Sequence, residues 1–238
     1  MIRKIRSYLL FWPALVMSTL FIFVPLLINK LTFRSSKFTS RVNRFWGKTV
    51  FWASGSTITI KGEIKGDGPF VIVANHTSML DIAVALVVLG NVDFRFASRP
   101  LFFKIPILRQ DMLWGGHFPL DRDNPRKSLR ELYALEGFKR GESLMMFPEG
   151  TRSLDGEIKD FDGGAAATAI HHGVPVLPMR FSGLYDAFPK GKHFPRPTAI
   201  SVRIGEPILT DGLNSMKDAG RLTEKVQSWV SNAVEVPR

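Results

Sequence analysis

Three features of this chain of 238 residues predict an α/β sandwich around a mainly parallel mixed sheet, with a helical membrane element at its N-terminus. Past Ser56, short β-rich runs alternate with segments of helical periodicity, the pattern of a sheet covered by helices. Ahead of that, the 21 residues from Tyr8 to Ile28 carry no charge. At ~1.5 Å per residue such a run is long enough to cross the ~30 Å hydrocarbon core of a bilayer. Charge separates the two parts: Met1 to Gly62 holds ten Lys or Arg and no Asp or Glu, whereas the remainder has 22 basic against 21 acidic residues.

Basic residues flank the apolar run, with Arg3, Lys4 and Arg6 before it and Lys30 after it. The run exceeds the ~7–15 residue apolar region of a signal peptide, and no small-x-small cleavage site follows it cleanly. A single transmembrane helix and a re-entrant or interfacial hairpin are both open, because Pro13 and Pro25 lie inside the run and can break it into shorter pieces. Phe38, Val42, Phe45, Trp46, Thr49 and Val50 then recur at helical spacing, with Arg41, Arg44 and Lys48 on other faces. This predicts an amphipathic helix over Phe38–Trp52, lying in an anionic interface or packed on the domain.

Thr57–Lys61 and Phe70–Ala74 are β-rich, Leu80–Leu89 is an apolar helical run and Asp93–Ala97 reads as a strand. Pro125–Arg140 has proline in its first turn and reads as a helix. Ser143–Phe147 is expected as a buried strand, Gly164–His172 as an Ala-rich helix and Val174–Phe181 as a strand. Phe188–Pro197, rich in Pro, Gly and Lys, reads as a surface loop. Ala199–Ile204 and Ser215–Val230 supply the last strand and a closing amphipathic helix. The expected organisation is a membrane-anchoring helical segment over residues 1–55 and one domain over residues 56–238, large enough for a well-buried core.

The chain has no Cys, which excludes disulfides, thiolate metal sites and a Cys nucleophile. A pI of about 10.1 does not argue for nucleic acid as a partner. The positive excess is confined to the apolar N-terminal segment and the rest is nearly neutral, so no basic groove is implied. Five basic residues between Lys30 and Arg44, against three before the run, favour a cytoplasmic location for the domain by the positive-inside tendency.

Two motifs carry the chemistry. The first is Asn75-His76-Thr77-Ser78-Met79-Leu80-Asp81, directly after the strand Phe70–Ala74. Ligand sites in open α/β sheets gather beyond the carboxyl ends of strands. Asp81 follows His76 by five positions, near the start of the next helix, so the turn can return its carboxylate to the imidazole. Such a carboxylate fixes the tautomer and leaves the other ring nitrogen free to take a proton from a hydroxyl. An unrelated histidine and a helix-capping aspartate are the plain alternative.

The second motif, Phe147-Pro148-Glu149-Gly150-Thr151-Arg152-Ser153, runs from a strand into a turn that offers a guanidinium, a hydroxyl and backbone amides. Arginine grips phosphate in bidentate fashion, and glycine lets the backbone approach closely. Glu149 is placed to receive a hydrogen bond from a substrate hydroxyl. Between the two motifs, Gly116-His117-Phe118-Pro119-Leu120-Asp121-Arg122 offers another strand end with an arginine. His171 and His172, near the end of a predicted helix, are expected to be satisfied or exposed.

With these residues in hand, the chain resembles the glycerolipid acyltransferase family typified by bacterial 1-acylglycerol-3-phosphate O-acyltransferase, over most of the region from Pro69 to Pro178. Asn75 to Asp81 matches the family's first block, Gly116 to Arg122 resembles the second, Phe147 to Ser153 is the third, and Val174-Pro175-Val176-Leu177-Pro178 is similar to the fourth. The resemblance implies His76 as general base with Asp81 as its partner. It implies that Arg122, Glu149, Gly150, Thr151 and Arg152 bind the glycerol phosphate of the acceptor. The implied reaction passes a fatty acyl chain from acyl-CoA or an acyl carrier protein to the free hydroxyl of lysophosphatidate, with no cofactor, no metal and no covalent enzyme intermediate. The implied partners are membrane lipids, the lyso-lipid acceptor and the acyl donor, and the implied location is the cytoplasmic face of the bacterial inner membrane. One departure stands out: many members carry lysine after the phenylalanine downstream of the third block, whereas this chain has Phe161-Asp162-Gly163-Gly164. An acid there keeps a lyso-ornithine lipid or another lysophospholipid as the alternative acceptor. A lipid-binding protein without catalysis is the alternative of another class.

Overall fold

One sheet organises the computed structural model, which describes residues 2–90, 92–105, 108–121 and 123–233. Its strands run β1 (Thr57–Lys61), β7 (Ala199–Ile204), β6 (Val176–Ser182), β2 (Val71–Ala74), β5 (Ser143–Met146), β3 (Phe94–Ser98) and β4 (Phe118–Pro119) across the sheet. Neighbours are parallel except β6 and β7, which are antiparallel. The predicted fold class is therefore what forms. Central β2 is buried at all four positions, as a parallel strand covered on both faces must be.

Alternation along the strands sorts the core into two halves. Ile72, Ala74, Met145, Leu177, Met179 and Phe181 pack with α3 (Leu80–Val88) on one face. Val71, Val73, Leu144, Met146 and Val176 pack against α5 (Pro125–Tyr133), α6 (Gly164–His172) and α8 (Met216–Asn232) on the other. Ser215 caps α8 and forms a capping box with Asp218.

At the N-terminus, α1 (Ile2–Leu31) runs unbroken through both Pro13 and Pro25, a length of about 45 Å at 1.5 Å per residue. It is long and apolar enough to cross a membrane. Ile2, Ile5, Leu9, Met17, Phe21 and Leu31 are among its exposed apolar residues. The chain reverses through Asn29, whose side chain donates to Ser35 O and Thr39 Oγ1 and accepts from Ser35 N–H. Ser35 then caps α2 (Ser36–Ala53). Trp46 Nε1 donates to Thr19 Oγ1 at 2.9 Å and ties the two helices together. This pair is not detached from the domain, because Phe11, Val50 and Ala53 join the core on the α3 face. Gly47 permits that docking: a Cβ there would lie 2.6 Å from Leu86 Cβ of α3.

The segment Phe188–Pro197 is more than the surface loop its composition predicts. Phe188 and Pro195 are buried, and the segment forms the seat of α1. Trp12 Nε1 donates to His193 O, Ser7 Oγ donates to Pro195 O, and Phe11 packs edge-on against Phe188 with ring centres 5.2 Å apart. Apolar side chains hidden in a Pro- and Gly-rich stretch carry no periodicity, so only the docked helix reveals them.

The helix expected over Pro125–Arg140 ends at Tyr133, followed by a 3-10 turn at Phe138–Arg140. Gly137 O accepts from both Arg140 and Glu142 N–H, and Gly141 adopts φ 79°, which turns the chain into β5. Other boundaries move by one or two residues. The short elements Pro100–Lys104, α4 (Leu108–Trp114) and α7 (Leu184–Ala187) have no counterpart in the sequence pattern.

Candidate active site

The two motifs meet at the carboxyl end of β2 and β5, adjacent in the sheet. His76 follows β2 directly, held from behind by Asn75. The Asn75 amide donates to Phe181 O and accepts from Phe181 N–H, so a buried side chain extends the ladder one residue beyond the strand. Asp81 sits in the first turn of α3, where the helix dipole favours negative charge. Its Oδ2 lies 2.6 Å from His76 Nδ1 and also accepts the N–H groups of Thr77 and Ser78. That oxygen is an acceptor throughout, so Nδ1 carries the ring proton and Nε2 is left bare. Asp81 is fully buried while the His76 side chain is 18% exposed. The imidazole is therefore reachable from outside and its carboxylate partner is not. The imidazole is stacked on Phe147 at 4.2 Å between centres, which fixes its plane.

The second motif braces the first. Glu149 Oε1 accepts the N–H of His76 at 2.6 Å, and Oε2 accepts the N–H of Lys159 at 3.2 Å. Burial pushes the Glu149 carboxyl above its usual range, and these two amides oppose that rise. Gly150 adopts φ 79°, with its N–H on Phe147 O, a turn that favours glycine. Ser153 N–H returns to His76 O at 2.8 Å, and Tyr185 OH bonds Leu154 O. Thr151 and Arg152 are partly exposed at the tip of the turn. Among the described residues no hydrogen bond or ion pair engages the Arg152 guanidinium. Arg122 lies outside the described residues. Asp162 does not sit idle: its Oδ1 accepts Gly164 N–H at the start of α6.

Asn75, Ser153 and Tyr185 act as positioning residues here, and the motif reading assigned them no task. Their partners are strands or loops distant in sequence, which no local pattern discloses. Arg180 on β6 was likewise unmarked. Burial lowers the proton affinity of its guanidinium, opposed by Glu149 and Glu157. His117 is half-buried with Nδ1 accepting from Phe96 N–H, and desolvation together with Arg95 lowers its pKa to about 3, so it is a neutral structural group. His172 bonds Leu132 O and His171 stacks on Tyr133.

The profile of the family described as Acyltransferase matches residues 56–182, which takes in β1 to β6 and both motifs, with Tyr185 just beyond its end. The chain belongs to the acyltransferase family. An acyltransferase of known structure, the Thermotoga maritima 1-acyl-sn-glycerophosphate (LPA) acyltransferase PlsC, superposes with a TM-score of 0.74 at 28% identity, covering 99% of this chain and 100% of that one. A 1-acyl-sn-glycerol-3-phosphate acyltransferase of Chlamydomonas reinhardtii is 30% identical over 98% of this chain and 71% of its own length. One from Cocos nucifera is 29% identical over 69% of this chain, and the match spans 54% of that relative. The similarity to PlsC and to the algal acyltransferase thus extends to the N-terminal helices, beyond the region that carries the motifs.

Proposed function

We propose that the protein transfers a fatty acyl chain from a thioester donor, acyl-CoA or an acyl carrier protein, to the free hydroxyl of lysophosphatidate, giving phosphatidate. The carrying observation is the 2.6 Å contact of His76 Nδ1 with buried Asp81, which leaves Nε2 bare and accessible beside the Gly150–Arg152 turn. Similarity to proteins named 1-acyl-sn-glycerol-3-phosphate acyltransferases supports the choice of acceptor.

His76 Nε2 takes the proton of the acceptor hydroxyl as its oxygen attacks the thioester carbonyl. Asp81 stabilises the imidazolium so formed. On collapse, the C–S bond breaks and the imidazolium returns the proton to the thiolate, leaving an ester and a free thiol. Arg122 and Arg152, with the Gly150 and Thr151 turn, hold the acceptor phosphate. Glu149 sets the register between base and turn. The apolar faces of α1 and α2 seat residues 1–55 in a bilayer at the cytoplasmic face, where a lipid acceptor is held at high local concentration beside the domain of residues 56–238. No cofactor is needed for these steps.

Thiol release from palmitoyl-CoA by detergent-purified protein, with lysophosphatidate, a lyso-ornithine lipid or lysophosphatidylcholine as acceptor, tests the proposal. Release that needs both lysophosphatidate and His76 is expected. Acylation of another lyso-lipid with lysophosphatidate inert overturns the acceptor, as Asp162 in place of a cation would have it. Equal release by His76→Ala overturns the mechanism.

A further inference from the structure

Behind the site, on the face of the sheet opposite α1, α2 and α3, two arginines stand directly opposite each other. Arg180 of β6 and Arg203 of β7 are register partners, and Lys61 of β1 is the register partner of Arg203. Paired residues point to the same face, so the three cations form a row across β6, β7 and β1. Met179, Phe181, Val202 and Ile204 point the other way, into the core beside α3. The row lies just past the cover of α8, whose Trp229 ring occupies the space over Gly205. Beyond it the face is open: Thr57, Thr59, Ala199 and Arg203 are exposed, and Ser182 and Ser201 are partly so.

Like charges directly opposite on neighbouring strands, as Arg180 and Arg203 are, repel each other. Among the described residues no carboxylate lies within ion-pair distance of Arg180 or Arg203. Glu149 and Glu157 act on Arg180 only at longer range. The Nε of Arg180 is buried without a hydrogen-bond partner, a fork held ready rather than spent. Arg180 is also close to the chemistry, since its neighbour Phe181 is the residue that Asn75 clamps beside His76.

We propose that Arg180 and Arg203 form a binding site for the phosphate groups of the donor's phosphopantetheine arm, whether that arm belongs to coenzyme A or to an acyl carrier protein. The proposal rests on the acyl-transfer function argued above. The face decides between the two substrates: a lipid acceptor arrives along the apolar surfaces of α1 and α2, whereas the Arg180–Arg203 row looks away from them into water. A soluble polyanion reaches His76 from that side, over the carboxyl ends of the strands, and two planar guanidinia suit its phosphates.

The test compares wild type with Arg203→Gln, an exposed change that leaves the core intact, and Arg180→Lys, which keeps the charge and removes the fork. Donor KM is measured for palmitoyl-CoA and for palmitoyl-acyl carrier protein, lysophosphatidate KM is measured in parallel, and binding of unreactive desulfo-coenzyme A is followed directly. Arg203→Gln is expected to raise donor KM and weaken desulfo-coenzyme A about tenfold, the loss of one charge-assisted phosphate contact, with a flatter salt dependence. Lysophosphatidate KM should stay within about twofold, and Arg180→Lys should weaken the donor in the same direction. A rise with only one of the two donors identifies the carrier. A rise in lysophosphatidate KM instead, or no change in either donor, overturns the proposal. Wild-type protein that turns over no donor marks failure of the proposed function, while the desulfo-coenzyme A measurement still judges the arginine site.

Discussion

Glu149 accepts the backbone N–H of His76 at 2.6 Å across 73 residues of sequence, so the acid of the second motif holds the histidine of the first in place. Together with Ser153 N–H on His76 O, it turns two separate loops into one rigid unit. The glutamate of the second motif is thereby a brace.

Glu149→Gln keeps the shape but presents an NH2 group to one of two backbone donors that need acceptors. The orphaned amide should cost about 1–3 kcal/mol and lower the melting temperature by several degrees. Turnover should fall with it, because His76 loses its anchor. Differential scanning calorimetry and the thiol-release assay check both; an unchanged melting temperature with full activity removes Glu149 from the bracing role.

Asp81→Asn should leave the protein folded and lower kcat by about 10³- to 10⁴-fold, as loss of an orienting carboxylate does in comparable relays. Asparagine can still accept from Thr77 and Ser78 N–H, yet it permits the wrong imidazole tautomer. Steady-state kinetics alongside circular dichroism separates this from unfolding, and a loss below tenfold argues against the relay.

His117 supplies a pH test of the fold. Its folded pKa of about 3 lies below the ordinary 6.5, so the unfolded chain takes up a proton first. Its contribution to stability is present above pH 6.5 and is lost as pH falls towards 3, at up to about 1.4 kcal/mol per pH unit. Denaturant melts from pH 8 to 4 should show that slope in wild type. His117→Gln, which offers the Phe96 amide an acceptor but no titrating ring, should flatten it.

The seat of α1 can be probed at Phe11, 1% exposed and packed on Phe188. Phe11→Ala should cost about 3–5 kcal/mol of local packing. Limited proteolysis should then cut within residues 188–197 faster than in wild type, and undiminished protection there places the strength of the contact elsewhere.

Much of this was legible in the chain itself. Strong local signals survive folding: a run of apolar β-branched residues is β2 because both its faces are covered, and the amphipathic stretch that begins at Ser215 is α8. His76 and Asp81 are five residues apart, so a single turn suffices to join them, and the separation makes them a candidate pair that the fold then brings to 2.6 Å. Relationships between distant segments were not legible. That Asn75 clamps Phe181, that Phe188–Pro197 receives α1, and that Arg180 and Arg203 share a register all depend on the order of strands in the sheet. Local periodicity is set by the chain's own backbone geometry and can be read along it; neighbours across a sheet are chosen by the burial of whole faces, which is a property of the assembled structure alone.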